Sequence, residues 1–295
     1  MSDSSNEDSA AYKRLCDAFP FKPPSEVPKG VLYHYCSSDT FHAIVTNKTI
    51  RSSDLSKMND FRELSWGLDL AKDEISEHRG IISDNLSDLL LDRVDYVNKN
   101  ARLLISCFSL EGDILSQWRA YAEDAKGFSI GFDSAKISKC LGKMGKVLYK
   151  EEEQRAELKN RLINGGNLFH QCPESQKNKM ALRIATQLLT AACYMKNSAF
   201  SEEKEVRSTR AVVYIESEKG FDISSPGGKE IDIKFSIRGG QLVPYADRTF
   251  GDQSGAIKKV ILGPKNSNSE SDVKAFLSFS SLTVPEVSRS AASYR

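Results

Sequence analysis

The stretch EVRSTRAVVYIE, residues 205–216, decides the fold, because its β-branched and aromatic residues are typical of a β-strand. Three more strand candidates follow it, at 230–237, 241–246 and 257–263, and the longest helix pattern with an apolar face precedes it, at 174–197. Earlier strand candidates are VLYHYC (31–36), TIRSS (49–53), RLLISCFSL (102–110) and FSIGFD (128–133). Since helical segments separate these strands, the sequence predicts an α+β fold with a mixed, largely antiparallel sheet and inserted helices.

The chain divides at a linker that contains prolines. Residues 1–29 are predicted to hold a disordered tail (1–8), a short helix (10–19) and the linker FKPPSEVPKG. Residues 30–295 are predicted to form a single α+β domain. Within it, residues 55–98 follow a helical pattern that breaks at Gly80, and the helix ILSQWRAYAEDAKG is expected to end at Gly127.

Composition excludes several classes of protein. With 41 basic and 40 acidic residues the net charge is +1, so no overall field attracts nucleic acid. Apolar runs such as LLISCF are far shorter than the roughly 20 residues of a membrane span, and the acidic, Ser-rich N-terminus is not a signal peptide. Six cysteines without a CxxC pair or metal spacing favour reduced thiols. We therefore expect a soluble cytoplasmic protein that has no membrane partner and no bound metal.

The segment SEEKEVR, residues 201–207, concentrates charge just ahead of the predicted strand. If it is extended, Glu203, Glu205 and Arg207 project to one side while Lys204 faces the other. Such a face is either a solvated edge or a polar cleft. In a cleft, one carboxylate could stabilise an oxocarbenium-like sugar. The other could deprotonate an acceptor, with a pKa raised by its like-charged neighbour and moderated by Arg207.

Other polar and aromatic residues carry alternative interpretations. His34 alternates with Tyr33 and Tyr35 on the first strand, so it faces the opposite side, either as a structural or as a functional histidine. Asn59, Asp60 and Glu63 have the spacing of a helix cap, but they could also belong to a polar cleft. Trp118 and Tyr121 lie three residues apart on one helix, where they could support a planar ligand or fill the core. The chain contains no GxGxxG, GxxxxGK[ST], HExxH or GxSxG motif.

The order of these pieces resembles a bacterial family known as domain of unknown function 2971. The resemblance spans about residues 31–280 and rests on six motifs: Tyr33–Tyr35, Asn59–Glu63, Cys107–Ser109 with Trp118 and Tyr121, Lys126–Phe132, Phe200–Arg207 and Ile257–Pro264. The sequence departs from the family pattern at Val206, where an aromatic residue is common, and at Phe61, where proline is frequent.

A second, weaker resemblance is to ADP-ribosyltransferases, particularly the DNA-modifying toxin branch. It implies a fold of that type and NAD as co-substrate. It also implies that His34 contacts the NAD ribose and amide, that Tyr35 or a nearby aromatic such as Trp118 or Tyr121 stacks on nicotinamide, and that Glu205 stabilises the ribosyl cation. Glu203 would then be the carboxylate on the acceptor side, and Arg51 could hold a phosphate. Classes with E-x-E usually begin with arginine rather than histidine, so the chain combines two signatures.

Three functions are therefore considered. The first is an NAD-dependent ADP-ribosyltransferase-like effector of a toxin or anti-phage defence system, acting on an unknown acceptor such as nucleic acid or protein. The second is a metal-dependent nuclease, in which Asp60, Glu63, Glu203 and Glu205 would gather around Mg²⁺. The third is a non-catalytic sensor or partner-binding module. The first hypothesis requires that His34, Tyr35 and Glu205 converge on one cleft.

Overall fold

The strand that begins at Glu205 pairs along one edge of the central strand of the sheet. The computed structural model describes residues 2–57, 61–218, 220–224, 231–251 and 255–294. The helices are α1 (Ser2–Ala18), α2 (Ser38–Asn47), α3 (Phe61–Glu77), α4 (Arg79–Ile82), α5 (Asp84–Asn100), α6 (Leu115–Tyr121), α7 (Ser134–Leu141), α8 (Glu151–Gln171), α9 (Lys177–Ala192) and α10 (Glu270–Phe279). Short 3-10 helices cover Leu55–Lys57, Glu174–Gln176 and Ser198–Glu203.

The strands form one sheet. They are β1 (Val31–Cys36), β2 (Thr49–Asp54), β3 (Ala101–Ser109), β4 (Phe128–Asp133), β5 (Met144–Lys146), β6 (Glu205–Ser217), β7 (Gly220–Ser224), β8 (Lys234–Arg238), β9 (Gln241–Thr249), β10 (Ile257–Leu262) and β11 (Glu286–Arg289). The main order is β11-β10-β4-β1-β3-β2-β9-β8, and β6 pairs with β3, β5 and β7. Of the pairings recorded among the described strands, β10 with β11 is parallel and the others are antiparallel. The predicted α+β class with a mixed, largely antiparallel sheet is confirmed.

The sheet separates two large hydrophobic cores. One core lies between the sheet and the bundle of α3, α5, α8 and α9, with Leu90, Leu162 and Leu188 fully buried. The other core collects side chains from β1, β4 and β10 together with α2, α7 and α10, including Leu32, Ile130 and Leu277. Burial of so many apolar side chains on both faces stabilises the sheet, and it leaves the polar residues of the inner strands in a few defined places.

The structure corrects several predicted boundaries. Residues 2–8, expected to be disordered, belong to α1, and the break in the helical region falls at His78 and Ser83 rather than at Gly80, which lies inside α4. The sixth helix ends at Tyr121, well before Gly127, because Glu123, Asp124 and Ala125 adopt positive φ angles. Gly127 instead permits a close approach, since a Cβ atom there would lie 2.1 Å from the carbonyl oxygen of Cys36.

Among the described helices, none is long and apolar enough to cross a membrane. The six cysteines all lie within the described residues, and none of them forms a disulfide.

Candidate functional site

A fork in the sheet creates a pocket. The edge of β3 that faces away from β6 pairs with β2 at Leu104 and Ile105, and with β1 at Ser109. Between these points β1 and β2 diverge, and the pairings of β3 with them lie at Leu104 and Ile105 on one side and at Ser109 on the other. Backbone groups between two such pairings need other hydrogen-bond partners or a ligand. The cavity in the fork has a volume of about 430 Å³.

Side chains supply some of the missing partners within the fork. The Nδ1 atom of His34 lies 2.9 Å from the carbonyl oxygen of Cys107. The hydroxyl of Ser106 donates to the carbonyl oxygen of Arg51 at 3.1 Å and lies 2.7 Å from the hydroxyl of Ser52. The fork is therefore stabilised by polar contacts of β1 and β2 while it remains open as a cavity.

The contacts of His34 determine its tautomer. A carbonyl oxygen can only accept a hydrogen bond, so Nδ1 carries the proton and Nε2 of the neutral ring is an acceptor. Burial lowers the pKa of His34 more than the bond to Cys107 raises it, so the imidazole is neutral near pH 7. Its ring packs against Phe108 at 5.7 Å, whereas the Tyr35 ring packs edge-on against Trp118, which fits the predicted alternation of β1. His34 thus offers an acceptor to a ligand hydroxyl or amide.

An ionic cluster forms another part of the pocket wall. Arg207 binds Glu205 through two hydrogen bonds, Nε to Oε1 at 2.6 Å and Nη2 to Oε2 at 2.8 Å. The ammonium of Lys196 lies 2.6 Å from Oε2 of Glu203 and 3.6 Å from Oε2 of Glu205. The side chains of Lys196, Glu205 and Arg207 are 3%, 7% and 3% exposed. Two cations and two carboxylates thus balance each other in a largely dry environment, where their mutual attraction is strong.

The cluster determines the protonation state of Glu205. Burial by itself would raise the pKa of Glu205, but the charge and hydrogen bonds of Arg207, with smaller contributions from Lys196 and Cys107, lower that pKa to about 2. The carboxylate of Glu205 is therefore ionised over the whole neutral range, which suits electrostatic stabilisation of a cation better than proton abstraction.

The position of Glu203 also differs from the prediction. Residues Ser198–Glu203 form a 3-10 helix, Lys204 has φ 45° and ψ 48°, and the strand begins only at Glu205. Glu203 therefore reaches the pocket from a turn rather than from the same strand face. Its second oxygen accepts a hydrogen bond from the hydroxyl of Tyr121 at 3.2 Å. Lys204 is half-exposed and pairs with Glu111, in agreement with its predicted surface position.

Most of the predicted site residues line this one cavity. His34, Tyr35, Arg51, Tyr121, Glu203, Glu205 and Arg207 do so. Trp118 does not. It is fully buried, it donates its indole N–H to Asp113 at 2.6 Å, and it supports Tyr35 from behind. Asn59 and Asp60 lie outside the described residues, as does the side chain of Glu63.

Arg51 occupies the side of the pocket formed by β2 and β9. Its guanidinium is 3.6 Å from the centre of the Tyr245 ring, and Nε donates to Asp247 at 3.2 Å. Its side chain is 47% exposed, so part of the guanidinium faces solvent at the pocket wall. A planar guanidinium held against a ring in this manner is well placed to bind a phosphate.

The sequence analysis did not identify several contributors to the pocket, among them Lys196 and Gln117. Lys196 follows α9 without a recognisable motif, and its backbone is fixed by buried Gln154, whose amide donates to the carbonyl oxygens of Leu148 and Lys196. Gln117, one turn before Tyr121 on α6, is buried and also lines the cavity. For Gln117 the helical spacing from Tyr121 was a usable signal. For Lys196 the sequence contains none.

A second group of polar residues lies on α3, away from the pocket. Glu74, Glu77 and His78 place one potential metal ligand each within 4.8 Å of one another. Arg155 already pairs with Glu74 at 3.1 Å and approaches Glu77 at 3.8 Å. Since the guanidinium balances these carboxylates, we assign no metal to this group.

One protein family matches the part of the chain that supplies several of the pocket residues. The family described as a protein of unknown function (DUF2971) matches residues 117–208, from α6 to the start of β6. The match confirms the resemblance to this family that the motifs predicted. The matched part includes Gln117, Tyr121, Lys196, Glu203, Glu205 and Arg207, whereas His34 and Arg51 precede it. Neither a curated protein nor a solved structure matches the chain.

Proposed function

We propose that the protein is an NAD-dependent ADP-ribosyltransferase-like effector, and that NAD binds in the fork of the sheet. The observation that carries the proposal is the convergence of His34, Tyr35 and Glu205 on one cavity, with Tyr121 beside them. These are the residues to which the resemblance assigns NAD contacts and stabilisation of the ribosyl cation. A role in a toxin or anti-phage defence system rests on that resemblance alone.

The chemistry of the cavity fits cleavage of the bond between nicotinamide and ribose. As this bond breaks, its electron pair leaves with nicotinamide, and positive charge develops on the ribose. In the proposed complex the ionised carboxylate of Glu205 faces this charge, and Nε2 of His34 accepts a hydrogen bond from the ribose or the amide. The acceptor then bonds to the ribose carbon and loses a proton.

The dimensions of the pocket support a ligand of this kind. A cavity of about 430 Å³ falls within the roughly 300–1,000 Å³ of typical small-molecule sites. In the proposed complex the nicotinamide riboside half lies between His34 and Glu205, and the pyrophosphate extends toward Arg51. Arg51 is the half-exposed cation of this wall.

The metal-dependent nuclease receives less support from the same geometry. A Mg²⁺ ion shared by Glu203 and Glu205 would have to occupy the space between their carboxylates. That space holds the ammonium of Lys196, which contacts both groups. Because a cation already satisfies the two carboxylates, the structure favours an organic ligand over a metal ion.

The decisive experiment is incubation with NAD labelled on the adenylate half, together with DNA, RNA or protein as acceptor. We expect nicotinamide release and labelled acceptor with the wild-type protein, and at least a 100-fold slower reaction with Glu205→Gln, which keeps the shape of the side chain. The matched control is Glu202→Gln, the same change at an exposed residue three positions earlier, which should react like the wild type. Thermal melting verifies that each variant is folded.

The remaining outcomes separate the alternatives. Binding of NAD or of another nucleotide without turnover, unaffected by Glu205→Gln, would favour the sensor or partner-binding module. Nuclease activity that EDTA abolishes and Mg²⁺ restores would favour the metal-dependent enzyme. A folded wild-type protein that neither binds NAD nor releases nicotinamide with any of the three acceptors would overturn the proposal.

A further inference from the structure

One wall of the pocket is a short helix that depends on other parts of the chain for its position. The helix α6 has seven residues and no side-chain hydrogen bond at its N-cap, Ile114. It contributes Gln117 and Tyr121 to the cavity, and the Tyr121 hydroxyl bonds to Glu203. A helix this short is marginal by itself, so its position must come from tertiary contacts.

Asp113 joins this helix to the segment Ser290–Tyr294, which we term the strap. Its Oδ1 atom accepts a hydrogen bond from the indole N–H of Trp118 at 2.6 Å and another from the hydroxyl of Ser290. Its Oδ2 atom accepts one from the backbone N–H of Ala291 at 2.8 Å. Both carboxylate oxygens are therefore occupied, one by the strap and the other by the helix and the strap together.

The turn after the helix has an unfavourable conformation, and the strap is one of the segments that hold it. Glu123, Asp124 and Ala125 have φ angles of 55°, 49° and 71°. Three successive residues with side chains rarely adopt the left-handed region, because Cβ crowds the backbone there. Such a conformation persists only when surrounding contacts impose it.

The strap supplies some of those contacts through Tyr294. Its hydroxyl donates to Oδ1 of Asp124 at 2.8 Å, while Lys265 donates to Oδ2 at 3.0 Å. The ammonium of Lys265 lies 3.9 Å from the centre of the Tyr294 ring, and the guanidinium of Arg119 lies 5.7 Å from it. Tyr294 is thus packed between a cation of α6 and a cation that follows β10.

We propose that the strap controls the pocket by positioning α6, with Asp113 as the positioning residue at one end and Tyr294 at the other. While the strap is docked, Tyr121 is held against Glu203 and Gln117 against the cavity. When it detaches, the left-handed turn relaxes and α6 withdraws from the pocket wall. The expected effect on turnover rests on the proposed function, but the movement of α6 does not.

The test uses the full chain with three substitutions: Asp113→Asn, Tyr294→Phe and, as a matched control near the strap, Glu286→Gln. Glu286 is exposed and pairs with Lys259 on the preceding strand. Hydrogen–deuterium exchange should accelerate at least tenfold for amides 115–126 in the first two variants, while amides of α9 keep their wild-type protection. In a Trp66→Phe background, the emission of Trp118 should shift to longer wavelength in Asp113→Asn. The control should match the wild type in both measurements.

The kinetic readout separates a role at the site from a purely structural one. In the two strap variants we expect KM for NAD to rise at least tenfold with a smaller change in kcat, because the wall is displaced while Glu205 stays in place. Three results would each overturn the proposal. The first is unchanged exchange at residues 115–126, and the second is exchange that rises equally throughout the protein. The third is faster exchange at residues 115–126 without any change in KM. If the wild type does not turn over NAD, the proposed function fails, and exchange and fluorescence still decide whether the strap positions α6.

Discussion

Two parts of the pocket wall hold titratable groups that respond to burial in opposite ways. We call them the recognition end, formed by His34, and the electrostatic end, formed by Glu205 with Arg207 and Lys196. At one end His34 has a single neutral partner, the Cys107 carbonyl, and burial lowers its pKa so that it is uncharged. At the other end Glu205 is more deeply buried than His34, but Arg207 and Lys196 lower its pKa to about 2 and keep it charged. Burial favours the neutral form of any group, and a close opposite charge reverses that preference.

Because of this contrast, the two ends interact with a ligand in different ways. A neutral imidazole with a free acceptor atom selects hydrogen-bond donors of a ligand, and it is not a strong source of electrostatic attraction. A permanently ionised carboxylate attracts positive charge, although its two cationic partners reduce the field that a ligand feels. The pocket therefore combines a recognition end with an electrostatic end, and each end can be altered separately.

The largest expected effect comes from breaking the ionic end on one side only. Arg207→Met should lower the free energy of unfolding by roughly 3–5 kcal/mol, because it removes both hydrogen bonds that Arg207 donates to the buried carboxylate of Glu205 and leaves Lys196, at 3.6 Å, as its nearby cation. Urea unfolding followed by circular dichroism measures the change.

The matched control for this change is Lys204→Met, three residues earlier. Lys204 also pairs with a glutamate, Glu111 at 2.8 Å, but both side chains are about half-exposed. Surface pairs of this kind contribute less than about 1 kcal/mol. If Arg207→Met and Lys204→Met lowered the free energy of unfolding by equal amounts, burial would not strengthen the pair of Arg207 with Glu205.

The next effect is the acid dependence of the electrostatic end. Because the pKa of Glu205 is lowered from 4.5 to about 2 on folding, the unfolded chain binds a proton there at a pH where the folded chain does not. The resulting stability, roughly 3 kcal/mol, is complete above about pH 5 and is lost as the pH falls toward 2.

Denaturant titrations at pH 7, 5, 4 and 3 measure this dependence. In Glu205→Gln the loss of stability between pH 5 and 3 should be smaller than in the wild type, since the titrating group is gone. Parallel curves for the two proteins would contradict the assignment of this acid sensitivity to Glu205. Glu202→Gln, which removes an exposed carboxylate, should follow the wild-type curve.

The contrast between the ends also explains how far the sequence could predict the site. The alternation along β1 and the charges at the start of β6 could be predicted from the sequence. The resemblance to ADP-ribosyltransferases predicted that His34 and Glu205 lie in one cleft. The location of Lys196 was not readable, because a lysine after a helix has no periodic signal, and only the fold brings it to Glu203 and Glu205. Lys204 adopts a left-handed conformation, which places Glu203 outside the strand. The sequence did not indicate this turn, because the position is not occupied by a glycine.

The overall fold was more accessible to prediction than its irregular parts. Strands and amphipathic helices depend on patterns of many residues, and most of them lie where those patterns indicated. By contrast, the early end of α6 depends on Glu123–Ala125, whose positive φ angles are imposed by distant contacts such as Asp124 with Lys265 and Tyr294. Tertiary contacts that override local preference are invisible in a single sequence.

The smallest expected effect is the pH dependence of the recognition end. Since the pKa of His34 is lowered on folding, the unfolded chain takes up a proton below the ordinary histidine pKa of about 6.5, while the folded chain stays neutral. The contribution of His34 to the free energy of unfolding is therefore present above the ordinary histidine pKa of about 6.5, and it declines as the pH falls from 7 to 5. In His34→Gln, whose amide can still donate to Cys107, the decline over this range should be smaller than in the wild type.

His170→Gln provides the control, because His170 is exposed at the end of α8. The free energy of unfolding of this variant should depend on pH as it does in the wild type. The range from pH 7 to 5 lies above the one in which Glu205 loses its contribution, so one titration separates the two ends. A His34→Gln curve that equals the wild type from pH 7 to 5 would mean that His34 is as readily protonated in the folded chain as in the unfolded one. The acceptor role of Nε2 would then fail near pH 6, because a protonated imidazole donates from both nitrogens and has no acceptor to offer a ribose hydroxyl.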